Sequence, residues 1–293
     1  MKARESCLTA AAFFMALVMP VAAAPAADGP PVWSVAGRSN TVYLFGSVHL
    51  LKSGEFTLQG VLEDAYEDSE AVFLEVDMDD LSPLEIASAT AERAIDPEGR
   101  TLDELMGDDA ALARERAARI GVDLDLLGQL EPWFAGLTIV SLVLARDGYT
   151  AAAGVEQVIQ DHAAADGKEI LGLETLDQQL AALDSMEIGI QREFLLKALD
   201  DAERPTESLD EFLRAWRAGD DEALAQQLET EFAETPALYQ SLIVDRNRSW
   251  TEQIEGLLDD GRDYLIIVGA LHLVGPDGLP AMLAGRGLRL SRH

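Results

Sequence analysis

Thiols are almost missing from this chain, whose one cysteine is Cys7, close to the start. A lone cysteine forms no internal disulfide and cannot build a cysteine-ligated zinc site. Basic residues are scarce as well: 22 Lys and Arg stand against 53 Asp and Glu, for a formal net charge of −31. A surface this negative repels nucleic acid and anionic lipid, so neither is an expected partner, and the surplus of acid is first of all a source of solubility. Also lacking is an apolar run long enough to span a membrane. The stretch from Leu8 to Ala23 is broken by Pro20 and followed by Pro25, which leaves less than the roughly 20 residues that a spanning helix needs. With Lys2 and Arg4 ahead of it and the small residues Ala22-Ala23-Ala24-Pro25-Ala26 behind, residues 1–26 read as a secretory signal. Cleavage between Ala22 and Ala27 leaves a mature region, 27–293, with no thiol and no stable membrane anchor, expected to be periplasmic or secreted.

What is present is enough apolar residue, 48% of 293, for a substantial core. Histidine is rare, with four in all, and two of the four share a frame. Thr41-Val42-Tyr43-Leu44-Phe45-Gly46-Ser47-Val48-His49-Leu50 is matched far along the chain by Tyr264-Leu265-Ile266-Ile267-Val268-Gly269-Ala270-Leu271-His272-Leu273. In each, an apolar run suited to a buried strand reaches a glycine that turns without a Cβ penalty, and a histidine comes three residues later. One such histidine is most often a satisfied structural residue. Its recurrence at a second strand exit argues for a shared task.

Pro31 to Val35 and Thr41 to Phe45 flank Gly37-Arg38-Ser39-Asn40 and read as a hairpin. A helix is expected from about Leu58 to Ser69, and then a buried strand at Ala71-Val72-Phe73-Leu74, which stops at Glu75-Val76-Asp77. From Ser82 to Leu144 the pattern is helical. Gly154-Val155-Glu156 opens a helix that ends near Gly167, and a short strand from Lys168 to Leu173 stops at Glu174. More helices come next, the last a long one from about Leu238 to Leu258 with Asp245-Arg246-Asn247 in its middle. Tyr264 to Val268, a short helix near Leu279 and a strand at Leu288 to Leu290 complete the chain. The expected fold is α/β: a central mixed sheet flanked by helices, with a large helical insertion, forming one domain.

Four apolar strands thus end in or just before an ionisable residue: His49, Glu75, Glu174 and His272. Ligands collect at the carboxyl edge of open α/β sheets, so residues distant in sequence can meet there. Imidazole and carboxylate together suit Mn, Fe, Co, Ni or Zn, and two His with one or two Glu leave a position for water. Bound water ionises near neutral pH, and a nearby free carboxylate can take its proton. With 53 acidic residues, a carboxylate at a strand end also arises by chance, so Glu75 is a stronger candidate than Glu174. Glu156 is weaker still, because a first-turn carboxylate also complements its helix dipole; Asp77 is equally weak. Arg246 can bind a substrate carboxylate or an oxyanion, or simply pair with acids on its helix. His162 beside Asp161 reads as solvated, and His293 needs no role.

Taken in order, Phe45-Gly46-Ser47-Val48-His49-Leu50, Phe73-Leu74-Glu75-Val76-Asp77, Gly154-Val155-Glu156-Gln157, Gly172-Leu173-Glu174-Thr175 with Gln178, Arg246-Asn247, and Val268-Gly269-Ala270-Leu271-His272-Leu273-Val274-Gly275 resemble the TraB/GumN family. That family is similar to the animal Tiki proteins, which are metal-dependent proteases, and more distantly to ChaN haem-binding proteins and erythromycin esterases. The resemblance implies an active centre formed by the paired Gly-x-x-His turns and the Glu after the second core strand, which fall here on His49, His272 and Glu75. The expectation is therefore an exported metal-dependent hydrolase, a peptidase first, acting on a peptide or small-molecule substrate. His49, Glu75 and His272 hold Mn²⁺ or Co²⁺, with Zn²⁺ or Fe²⁺ next in line. Glu75, Glu174 and Glu156 are the catalytic carboxylates, and Arg246 and Asn247 contact the substrate. Tiki proteins carry a membrane attachment at their far end, whereas this chain ends at His293 without an apolar tail, so a soluble product is expected. Two alternatives stand beside this one: a metal-free, esterase-like hydrolase in which a histidine activates water and Glu75 orients it, and a non-catalytic binder of peptide or haem.

Overall fold

The computed structural model describes residues 29–203, 205–233 and 235–293, the side chains of 205–208 excepted. The expected signal segment, 1–26, lies outside the described residues. Among those described, no helix is long and apolar enough to cross a membrane.

The strands are β1 (Val32–Ala36), β2 (Thr41–Ser47), β3 (Ala71–Val76), β4 (Glu169–Glu174), β5 (Tyr264–Gly269) and β6 (Leu290–Arg292). They form one mixed sheet in the order β4-β3-β5-β2-β1-β6. Strands β4, β3, β5 and β2 run parallel, while β1 pairs antiparallel with both β2 and β6. The expected α/β class, with a mixed sheet flanked by helices, is therefore what the chain adopts. Both carboxylates expected just after a strand, Glu75 and Glu174, belong to their strands.

The order places the last long strand, β5, between β2 and β3, so the exits of three strands from distant parts of the chain lie side by side. Its register is explicit: Gly46 pairs with Val268 and Ser47 with Gly269. The two Gly-x-x-His turns are thus neighbours, offset by one residue. Neither glycine is there for a left-handed turn; Gly269 has φ −51°. Close approach is the constraint instead, severe at Gly46, where a Cβ would stand 2.9 Å from Ala270 Cα, and milder at Gly269, where one would stand 3.3 Å from Glu75 Oε1 and 3.6 Å from His49 Nε2.

Strand alternation decides which face each side chain serves. Leu265 and Ile267 of β5, with Val72 and Leu74 of β3, pack beneath the helices Val61–Asp68 and Val155–Asp166 through Leu62, Tyr66, Val155 and Ile159. Ile266 and Val268 face the other way, toward Trp250, Ile254, Leu279 and Leu283. Every residue of β5 from Tyr264 to Val268 is buried, as expected of a central parallel strand covered on both faces. Glu75 shares the alternation of Ala71 and Phe73, which pack on the Trp250 side, so it is aimed at the helix Arg246–Leu257. The helices between β3 and β4 build a further apolar cluster, around Leu102, Met106 and Ile139, together with Leu195 and Leu199 of the helix Ile188–Asp201 that follows β4.

Candidate active site

The stretch from about Leu238 to Leu258 does not form the single regular helix expected from sequence. It runs as Pro236–Tyr239, a π-helical stretch Gln240–Asp245, and then the α-helix Arg246–Leu257. A π-helical segment widens the turn and shifts the facing of the residues beyond it; such segments often occur at functional sites. Here those residues are Arg246 and Asn247, both turned inward.

Asn247 is completely buried. Its Nδ2 donates to the backbone oxygens of His272, at 3.1 Å, and Asp277, at 2.8 Å. The amide orientation is thereby set, and Oδ1, 2.7 Å from His272 Nδ1, must accept. The imidazole consequently carries its proton on Nδ1 and offers the Nε2 lone pair, which accepts from Arg246 Nη1 at 3.0 Å. Burial, with the charges of Arg246 and His49, outweighs the pull of Glu75 and lowers the His272 pKa to about 3. This ring is neutral at physiological pH.

His49 differs. Its side chain is 62% exposed, and Nδ1 lies 2.6 Å from Glu156 Oε1, an oxygen that also accepts from the Ser47 hydroxyl. The Glu156 carboxylate, with a further contribution from Glu75, raises the His49 pKa to about 9. Strand exit and helix start are stapled together: Val155 N donates to Val48 O at 3.1 Å, and a Cβ on Gly154 would lie 2.2 Å from His49 O. The stretch Gly154-Val155-Glu156 is thus a support for His49, and this gives the weak sequence candidate Glu156 a specific place.

Glu75 Oε1 accepts from Gly269 N at 2.7 Å and stands 4.0 Å from His272 Nε2. Its Oε2 accepts from Arg246 Nη2 at 2.6 Å and Gln179 Nε2 at 3.1 Å. Burial opposes its ionisation, but His272, Arg246, His49 and the Gly269 N–H together hold it at about 2. So low a value makes Glu75 an anchor rather than a proton acceptor. Glu174 takes Arg246 Nε at 3.1 Å and Nη2 at 2.7 Å; its pKa is raised, by burial and by Glu75, against the pull of Arg246. Arg246 also lies 4.6 Å from the centroid of the Trp250 ring, and Nη1 reaches Leu242 O at 3.2 Å.

The structure therefore brings His49, Glu75 and His272 around Gly269, with Glu156, Glu174, Arg246 and Asn247 tied to them. The substrate-contacting roles expected of Arg246 and Asn247 look different in this light. Asn247 has no exposed surface, and the guanidinium is committed to two carboxylates, an imidazole and a backbone oxygen. Sequence reading missed Ser47, Gln179 and Trp250. The singled-out Gln178 instead closes a capping box with Thr175 at the start of the helix Leu176–Asp184, and its neighbour Gln179 reaches the centre. The Thr-x-x-Gln pattern was a readable signal for that cap. Over the cluster opens a cavity of about 330 Å³ walled by Leu183, Phe212, Phe232, Leu242 and Leu271.

The model of the TraB/PrgY/gumN family matches residues 31–292. The chain belongs to this family. No curated protein matches it. In this TraB/PrgY/gumN chain the match spans every strand and all the site residues, from Ser47 to His272.

A divalent transition ion would find ligand types that it favours at His49, Glu75 and His272. Both imidazoles also have the outer partner on Nδ1 that fixes a metal-bearing ring, Glu156 for one and Asn247 for the other. By donor type and tautomer, the residues fit. Arg246 bridges His272 and Glu75, and among the described residues no three His, Cys, Asp or Glu side chains are grouped closely enough to hold an ion.

Proposed function

We propose that the protein is an exported, metal-dependent hydrolase that cleaves peptides, with His49, Glu75 and His272 as the ligands of a divalent ion, Mn²⁺ or Co²⁺ first. The observation that carries this reading is the pair of imidazoles, each held at Nδ1 by an outer partner, Glu156 for His49 and Asn247 for His272, beside the buried carboxylate of Glu75. The ion, when bound, supplies a water that ionises near neutral pH and a Lewis acid for the scissile carbonyl. The chain's own residues do the rest. Glu156 and Asn247 aim the two rings, Gly269 N–H and Gln179 hold Glu75, and Glu174, whose pKa is raised, is the carboxyl group best suited to exchanging a proton. The wall of Leu183, Phe212, Phe232, Leu242 and Leu271 excludes water and accepts an apolar side chain beside the scissile bond. Export rests on the signal-like residues 1–26.

The test is cleavage of a mixed peptide library by the mature protein, purified without a polyhistidine tag and followed by mass spectrometry. Hydrolysis that stops with chelator, returns with Mn²⁺ and is absent in His49→Ala and His272→Ala supports the reading; an intact library or chelator-resistant cleavage contradicts it.

A second reading is favoured by the Arg246 contacts. If the guanidinium stays on Glu75 and His272, it serves as the resident cation of a metal-free hydrolase, and His49, backed by Glu156, acts on water directly. Chelator-resistant cleavage lost in Glu156→Gln selects this alternative.

A further inference from the structure

Two carboxylates, Glu75 and Glu174, each with a side chain 8% exposed, share one guanidinium that is itself only 13% exposed. Buried carboxylates without a counter-charge are costly, so a cation must stand here whether or not a metal is bound. The five N–H groups of a guanidinium form a rigid fork, and here they fall into two sets. Nε and Nη2 grip Glu174. Nη2 also reaches Glu75 Oε2, and Nη1 takes the His272 Nε2 lone pair. The second set occupies donors that a metal ion would need, and His272 has no other free nitrogen because Nδ1 is spent on Asn247.

We infer that Arg246 is an internal stand-in for the metal, and that loading the centre requires its guanidinium to give up Glu75 and His272 while keeping Glu174 as its retreat. The inference rests on the metal-dependent reading of the site. The retreat is prepared: the paired contacts to Glu174 need not break, and Gln179 Nε2 stays on Glu75 Oε2, so that carboxylate is not left bare. The residue also comes directly after the π-helical stretch Gln240–Asp245, where the helical ladder is already irregular and a small adjustment of facing is cheapest.

The experiment is calorimetric titration of Mn²⁺ alone into the mature full chain and its variants, with circular dichroism and melting to establish folding. In Arg246→Met the competing cation is gone; in Arg246→Lys the charge remains but the fork that spans His272 and Glu75 is lost. Both are expected to bind Mn²⁺ more tightly than the wild type, Arg246→Met by about tenfold or more. Glu174→Gln removes the retreat and is expected to bind more weakly, while Arg246→Met combined with Glu174→Gln matches Arg246→Met, because Glu174 acts through Arg246. Equal affinity in the wild type, Arg246→Met and Arg246→Lys overturns the inference and leaves the metal-dependent reading intact. Absence of Mn²⁺ binding in all of them overturns both.

Discussion

Glu156 Oε1 lies 2.6 Å from His49 Nδ1, although the helix that bears Glu156 begins far along the chain from the strand that delivers His49. A carboxylate at that distance stabilises the imidazolium, and the His49 pKa rises to about 9.

Replacing Glu156 with Gln keeps the shape and removes the charge. The His49 ring, followed by NMR of its carbon-bound protons, is expected to titrate near 9 in the parent and to fall toward about 6.5 in the variant. An unchanged midpoint in Glu156→Gln would show that Glu156 is not the cause. A raised pKa also fixes a sign for stability. The ion pair contributes fully below the imidazole's unfolded value of 6.5 and is lost as pH rises through about 9, so Glu156→Gln should flatten the alkaline limb of a melting-versus-pH curve.

At Glu75 the sign reverses. Its folded pKa, about 2, lies below the ordinary 4.5, so its contribution is present above 4.5 and fades as pH falls through 2. Glu75→Gln is therefore expected to lose stability near neutrality and to show a shallower acid limb than the parent. Melting temperatures from neutral pH down to about 2 check this, and parallel curves would count against it.

Asn247 is buried and joined to His272 through both ring and backbone. Asn247→Ala leaves the backbone oxygens of His272 and Asp277 short of a donor and frees the ring to change tautomer. The expected cost is about 2 kcal/mol in denaturant unfolding, with Mn²⁺ affinity or activity lower by roughly 10–100-fold. A variant that binds and turns over like the parent would remove Asn247 from the orienting role.

The two repeated glycines should respond differently to the same change. In Gly46→Ala the new methyl meets the Ala270 backbone at 2.9 Å, while in Gly269→Ala it meets the Glu75 carboxylate at 3.3 Å and His49 Nε2 at 3.6 Å. Gly46→Ala is expected to cost about 1–3 kcal/mol of stability. Gly269→Ala is expected to fold nearly as well as the parent but to lose metal affinity and hydrolysis. Unfolding curves set against Mn²⁺ titrations separate the two, and identical profiles would contradict the assignment.

Much of this was legible in the sequence because strands and their exits arise from local patterning. The apolar runs at Thr41 and Tyr264, the hairpin around Gly37 to Asn40 and the carboxylates at Glu75 and Glu174 all lie where period and turn chemistry put them. Pairwise relations were less legible. The register that sets Ser47 opposite Gly269 is a property of the assembled sheet. The π-helical stretch that turns Arg246 and Asn247 inward has no proline or glycine to betray it, so a regular helix was the natural expectation. Gln179 was overlooked because the adjacent Gln178 carries the capping signal, and in sequence Trp250 is one more core aromatic, with nothing to mark it as the ring beneath a guanidinium. Arg246 on a helix with acidic neighbours gave no sign that its true partners were two strand carboxylates and a histidine.

The central claim, that His49, Glu75 and His272 form one metal centre, is tested most directly by a crystal of the mature protein grown with Mn²⁺ and measured at the manganese absorption edge. The account predicts a single anomalous peak in contact with His49 Nε2, Glu75 and His272 Nε2, with Arg246 withdrawn to Glu174. A map without a peak at these three side chains, and with Arg246 still bridging Glu75 and His272 under saturating Mn²⁺, would contradict it.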